Sequence, residues 1–201
     1  MTSALWLLAA YLVGATPTAY LAGRLARGID LRQHGSKNLG ATNVYRVLGW
    51  RWAIPVALVD IGKGAAPVAL FAPRAGGGPW LAVALGVAAV LGHIFSPYVR
   101  FKGGKGVATA AGMFVALAPA AVAIALPLWG VCLWLSGYVS LASILAAAAF
   151  PVLVRLTQPA AGPVLWASAG LALLIVFAHR SNIRRLLAGT ENRFRTRKEL
   201  T

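Results

Sequence analysis

Residues 79–106 read PWLAVALGVAAVLGHIFSPYVRFKGGKG. No Lys, Arg, Asp or Glu occurs before Arg100, and Lys102 and Lys105 then follow at once. A membrane-spanning helix needs about 20 mostly apolar residues, so the stretch reads as one span that ends on a basic, glycine-rich loop. The same signature recurs outward in both directions. Residues 1–23 carry no charge, with Arg24 and Arg27 directly behind them. Because that charge follows the apolar run instead of preceding it, the reading is a retained helix and not a secretory leader. Further spans fall near residues 52–72 and 159–178, and a long uncharged stretch runs from 106 to 154.

Composition supports the reading. The chain of 201 residues is 59% hydrophobic and 11% charged, against about 25% charged in a soluble domain. Its 19 Lys and Arg against 4 Asp and Glu give a net charge of +15. So little polar surface cannot coat a soluble polycation, which excludes a basic nucleic-acid binder, and so much apolar surface excludes a disordered chain. The expected fold is an all-α integral membrane protein, a single polytopic domain over 1–201. Cys132, the lone cysteine, lies in an apolar run and supports no disulfide framework. No internal repeat and no Pro- or Ser-rich linker is visible.

The cations set the orientation. Sixteen of the nineteen fall in three clusters: Arg24 to Arg51, Arg100 to Lys105, and Arg180 to Lys198. The positive-inside rule places all three on the cytoplasmic side, with the N-terminus outside and the C-terminus cytoplasmic. The chain must then cross an even number of times between the second and third clusters. Pro119 and Pro127 are expected to break helices there, and four short or tilted helices between Gly112 and Ala178 satisfy the parity. That gives a bundle of seven transmembrane helices, five being the alternative.

Three polar segments remain. The first, residues 35–46, holds Ser36, Lys37, Asn38, Gly40, Thr42, Asn43 and Arg46. Its glycines permit tight turns, and its amides, hydroxyls and cations are phosphate donors; the plainer reading is a capped loop with Asn43 as a turn residue. The second holds Gly103, Gly104, Lys105, Gly106 and Thr109. It is not a nucleotide P-loop, because Gly106 stands where that motif needs Ser or Thr after the lysine; the plainer reading is a surface loop drawn to anionic headgroups. The third holds His179, Asn182, Arg185 and Glu191, with His179 and Asn182 three apart on one helical face. Its arginines could serve only as headgroup anchors. Within the spans, Asp60 and Lys63 are three apart and can neutralise each other, and His93 reads as an inter-helix hydrogen-bonding residue.

A site rich in cations, amides and glycine backbone but poor in carboxylates suits phosphate groups, not a divalent metal, and no cofactor is implied. One rival class is a phosphate or phosphate-ester carrier, which usually places its site at the bilayer midplane in repeated, broken helices. A lipid-anchored electrostatic scaffold is the other, and it would need only charge.

Taken together, Ser36-x-Asn38-x-Gly40-Ala41-Thr42-Asn43-x-x-Arg46, the run Gly103 to Thr109, and His179-Arg180-x-Asn182 with Gly189-Thr190-Glu191 resemble the three motifs of the bacterial acyl-phosphate:glycerol-3-phosphate acyltransferases, the PlsY family. The resemblance covers the whole chain. It implies transfer of a fatty acyl group from acyl phosphate to the 1-hydroxyl of glycerol 3-phosphate, giving lysophosphatidic acid and phosphate, the first acylation of bacterial phospholipid synthesis. It also implies a seven-helix fold in the cytoplasmic (inner) membrane with its site on the cytoplasmic face. On that reading Ser36, Thr42 and the Gly103-Gly104 backbone hold the donor phosphate. Arg46 and the catalytic candidates Lys105, His179 and Asn182 hold glycerol 3-phosphate and orient its hydroxyl, the base being either His179 or a substrate phosphate oxygen, and Glu191 orders the cationic loops. The expected partners are these two substrates and membrane lipid; no nucleic acid is expected. The sequence leaves the oligomeric state open, a monomer being sufficient. No H-x-x-x-x-D pair occurs, since Leu39, Tyr98 and Arg184 stand five residues after the three histidines.

Overall fold

The computed structural model describes residues 2–160 and 162–194. The cations Arg195, Arg197 and Lys198 of the third cluster lie outside the described residues. The chain forms two compact units, residues 1–117 and 118–201.

The first unit contains α1 (Ser3–Ala15), α2 (Thr18–Arg27), α3 (Ala41–Leu48), α4 (Trp50–Ala66), α5 (Ala72–Ala75), α6 (Pro79–Ile94) and α7 (Val107–Leu117). Helix α1 packs along α6, and α4 along α7. Small residues permit this closeness: a Cβ at Gly92 would overlap the Tyr11 carbonyl, and one at Gly112 would overlap that of Ile61. Between helices in lipid, packing of this kind replaces the hydrophobic driving force available in water.

The first span is broken, which the sequence reading did not anticipate. Pro17 cannot donate, and α1 ends before it. Carbonyls left over at the break are capped from other helices: the Ser96 hydroxyl donates to Ala15 O (2.6 Å), and Lys63 Nζ donates to Thr16 O (2.8 Å). Buried backbone acceptors in a membrane require such partners.

The second unit contains α8 (Pro119–Ser136), α9 (Val139–Thr157), α10 (Gly162–Ala178) and α11 (Arg180–Leu187). Helix α9 packs against both α8 and α10, and α11 lies against α9 and α10. Pro119 and Pro127 do not both act as breaks. Pro119 begins α8, where a missing donor costs nothing, and Pro127 lies inside α8 without ending it.

Among the described residues, five helical stretches are long and apolar enough to cross a membrane: Ser3–Arg27, Trp50–Ala75, Pro79–Val99, Pro119–Ser136 and Val139–Thr157. Gly162–Ala178 with Arg180–Leu187, bent by 57°, would add a sixth, while Val107–Leu117 is shorter. The described residues are therefore those of an all-helical membrane protein.

Candidate active site

In the first unit the leading polar segment is folded around one side chain. Asn43, in the first turn of α3, is only 1% exposed. Its Oδ1 accepts from the Ser36 backbone N–H (2.7 Å), and its Nδ2 is shared among the carbonyls of Leu31 (3.1 Å), His34 (3.1 Å) and Asn38 (3.0 Å). Asn43 was read as a substrate-binding residue; its polar atoms are instead committed to shaping the loop. Around it Ser36, Asn38, Gly40, Thr42 and Arg46 are half-buried and Lys37 is exposed. Arg46 stands in the last turn of α3.

Two residues that the sequence reading passed over tie this segment down. Arg32 forks onto the Asp30 carboxylate, with Nη2 to Oδ2 at 2.7 Å, and donates from Nη1 to the Val99 carbonyl (2.9 Å). The hydrogen bond from Arg32 holds the Asp30 carboxyl below its ordinary range. Asp30 was visible as the one acid among the first cluster of cations.

The glycine-rich segment doubles back over the end of α6. Gly103 donates to the Ile94 carbonyl (3.0 Å) and Gly104 to the His93 carbonyl (3.2 Å). These two N–H groups were expected to hold phosphate; they are used within the loop, so the two glycines contribute closeness and not donors. A Cβ at Gly103 would overlap the His93 carbonyl, and one at Gly104 would overlap His93 Nε2 and come within 2.8 Å of the Leu39 carbonyl. The first two polar segments therefore meet at Gly104 and Leu39. Lys105 is half-buried beside them, and Gly106 is buried at the start of α7. Thr109 departs from its expected role of substrate contact. It is fully buried, its carbonyl lies where a Cβ at Gly64 would stand, and its hydroxyl makes no hydrogen bond.

In the second unit the third segment is built on Glu191. Gly189, at φ +67°, ends α11 and lets Thr190 N–H return to the Arg185 carbonyl (2.8 Å). Glu191 is thereby folded back against the helix. Its Oε1 accepts from Asn182 Nδ2 (2.6 Å) and the Ser140 hydroxyl (2.9 Å), and its Oε2 from Arg185 Nε (2.6 Å). Burial alone would raise the Glu191 carboxyl, but the donors Asn182, Arg185 and Ser140 outweigh it and hold it below the ordinary range. Arg185, expected among the substrate-binding residues, thus spends its charge on Glu191. Ser140 gave no signal, being one hydroxyl at the start of an apolar run.

His179 is buried where α10 bends into α11. Its Nδ1 lies 2.8 Å from the Ile175 carbonyl, which can only accept, so Nδ1 carries a hydrogen.

Each unit thus offers a polar face dominated by donors. The one acid at the first two segments is already paired, and no group of three or more His, Cys, Asp or Glu converges among the described residues. A family model described as glycerol-3-phosphate acyltransferase matches residues 4–189, a range that contains all the segments just described except the last two positions of the third.

The chain belongs to the glycerol-3-phosphate acyltransferase family.

Other members are close to it over nearly their whole length. The glycerol-3-phosphate acyltransferase of Geotalea daltonii is 48% identical, the match covering 97% of this chain and 100% of the relative. That of Desulforudis audaxviator is 47% identical, over 94% and 93%. A crystal structure of PlsY, described as an integral membrane glycerol 3-phosphate acyltransferase in its glycerol 3-phosphate form, superposes with a TM-score of 0.87 at 37% identity, covering 98% of each chain. A second, in the form with lysophosphatidic acid, gives 0.86 at 36% identity, over 95% and 94%. Those structures carry substrate and product of one acyl transfer. The glycerol-3-phosphate acyltransferase family is thus where both the sequence and the helical fold of this chain find their likenesses.

Proposed function

We propose that this enzyme transfers a fatty acyl group from acyl phosphate to the 1-hydroxyl of glycerol 3-phosphate at the cytoplasmic face of the bacterial inner membrane. The observation that carries the reading is the family match over residues 4–189 together with the donor-rich, acid-poor chemistry of the polar segments. The bundle crosses the membrane seven times with the N-terminus outside, the short α7 counting as one span, and the three basic clusters lie inside.

Acyl phosphate is a mixed anhydride whose phosphate leaves readily, so the protein need only position the reactants and stabilise charge. The glycerol hydroxyl oxygen bonds to the acyl carbon, the bond from that carbon to the bridging phosphate oxygen breaks, and phosphate departs with the electron pair. Ser36, Thr42 and the cations Lys37 and Arg46 serve the phosphate groups, and Lys105 adds a point charge. Asn38, Gly40 and Gly106 shape the backbone around them. His179 Nε2 accepts the hydroxyl proton, or orients a substrate phosphate oxygen that accepts it; a phosphate monoester, with its second pKa near 6, is competent to do so. Asn182, fixed by Glu191, orients glycerol 3-phosphate.

Purified protein given both substrates should release lysophosphatidic acid and phosphate in equal amounts. Product formed only with a thioester donor would overturn the acyl-phosphate reading. His179→Ala should lower kcat about 100-fold or more and remove the acidic limb of the pH–rate profile if the imidazole is the base; an unchanged profile assigns the proton to substrate phosphate.

A further inference from the structure

The mechanism above leaves the charges inside the spans unused. Asp60 and Lys63 stand one turn apart on α4, 1% and 6% exposed, with Nζ 2.8 Å from Oδ1. The same carboxylate oxygen accepts from the Thr18 hydroxyl (2.5 Å), and Lys63 Nζ reaches the Thr16 carbonyl at the Pro17 break (2.8 Å). The pair expected from the sequence therefore exists, and it clamps the broken first span to α4.

His93 of α6 extends this cluster toward the site. Its Nδ1 makes no hydrogen bond and lies 3.7 Å from Asp60 Oδ1. The other edge of the ring is pressed on the glycine loop, since a Cβ at Gly104 would overlap Nε2, and the His93 carbonyl accepts from Gly104 N–H (3.2 Å). Gly104 in turn abuts the Leu39 carbonyl of the first polar segment. Contacts are thus continuous from Thr16 through Lys63, Asp60, His93 and Gly104 to Leu39. A buried ion pair adds little stability over apolar side chains of equal size. What it does supply is direction, because charges and hydrogen bonds fix distance and angle where apolar contacts slide.

We propose that His93 is a positioning residue of the acyl transfer: seated on the Asp60–Lys63 pair, its ring sets where Gly104, and with it the loop of residues 103–106, lies against the first polar segment. The inference rests on the acyltransferase reading. If it holds, His93 acts through Gly104, and the effects of changing the two must be coupled.

The test is a double-mutant cycle of His93→Ala, Gly104→Ala and the combination, purified in detergent, checked for a single size-exclusion peak and thermal midpoint, and assayed with acyl phosphate and glycerol 3-phosphate. His93→Ala is expected to raise KM for glycerol 3-phosphate about tenfold with kcat within about threefold. Gly104→Ala should lower kcat/KM about 100-fold, because its methyl has no room. The combination should be no worse than Gly104→Ala alone, since removing the ring relieves the nearer of the methyl's two overlaps and leaves only that with the Leu39 carbonyl; the shortfall from the product of the single effects is then at least tenfold. Single effects that simply multiply, or a His93→Ala enzyme with unaltered KM, would overturn the proposal. Should His93→Ala not fold, His93→Asn replaces it in the cycle with the same expected coupling. Wild-type protein that makes no lysophosphatidic acid sinks the acyltransferase reading and the inference with it. Wild-type turnover with multiplicative effects sinks the positioning role alone.

Discussion

The first and third polar segments are each organised by a single buried side chain, and the two side chains are of opposite kinds. Asn43 is a neutral amide that both donates and accepts, and it collects three carbonyls and one N–H from residues within twelve positions of itself. Glu191 is a carboxylate that only accepts, and it collects Ser140, Asn182 and Arg185 from two helices. The difference has an electrostatic consequence. An amide anchor adds no negative charge beside Lys37 and Arg46, so it leaves the positive charge of that segment undiminished. A carboxylate anchor neutralises Arg185 and leaves the third segment the charge of the exposed Arg180 and Arg184. On the proposed reading the first segment is an anion cradle, and in the third Glu191 holds Asn182 in place.

Asn43→Asp breaks the contrast most directly. It keeps the acceptor but loses the donors and sets a carboxylate against three carbonyls. Stability should fall by about 3–5 kcal/mol through a buried, unpaired charge, and kcat/KM by about 100-fold or more through displacement of the first segment. Thermal unfolding in detergent and steady-state kinetics read both. A variant close to wild type would show that the amide is not what holds the loop.

Glu191→Gln comes next, replacing the carboxylate with a group of the same shape. Loss of charge-assisted hydrogen bonds should cost about 2 kcal/mol, Arg185 being partly solvated, and kcat should fall about tenfold as Asn182 loosens. The sign of its pH dependence follows from the lowered carboxyl. Glu191 contributes stability that is present above its ordinary value of 4.5 and is lost as pH falls through the lower folded value. In Glu191→Gln this part of the acid destabilisation should be missing while the part due to Asp30, lowered in the same direction, remains. Equal acid sensitivity in both proteins would deny Glu191 its role as a charged anchor.

Ser140→Ala removes one of the three donors to Glu191 and should cost about 1 kcal/mol, with activity within about threefold. Thr109→Val is the smallest change. Its hydroxyl is buried and makes no hydrogen bond, so an isosteric methyl should leave stability within about 0.5 kcal/mol of wild type or raise it, with kcat/KM unaltered. A tenfold loss of activity would mean that Thr109 touches substrate.

Much of this was legible in the order of residues. The spans fell close to their helices because hydropathy sums locally along the chain, and the three polar segments stood out because charges are rare here. Pro127 misled because a proline inside a helix is tolerated where neighbouring helices take over its missing partners. Pro17 does break its span, and nothing local separates the two prolines. Asn43, Thr109, Gly103 and Gly104 were found as residues that matter but not for what they do. Each was read as facing substrate, and each is turned toward the protein or has its donor used within the loop.

By itself, then, the sequence determined the class, the family, the approximate helices and the places where polar chemistry gathers. All of these depend on residue type and on spacing within a few turns. Only the tertiary structure decided which polar groups hold the protein together and which are left for chemistry. Lys63 meets Thr16 across 47 residues, Ser140 meets Glu191 across 51, and Gly104 meets Leu39 across a longer interval still. Such partners are set by how helices pack, and packing is a property of shapes in space that no local pattern of the chain records.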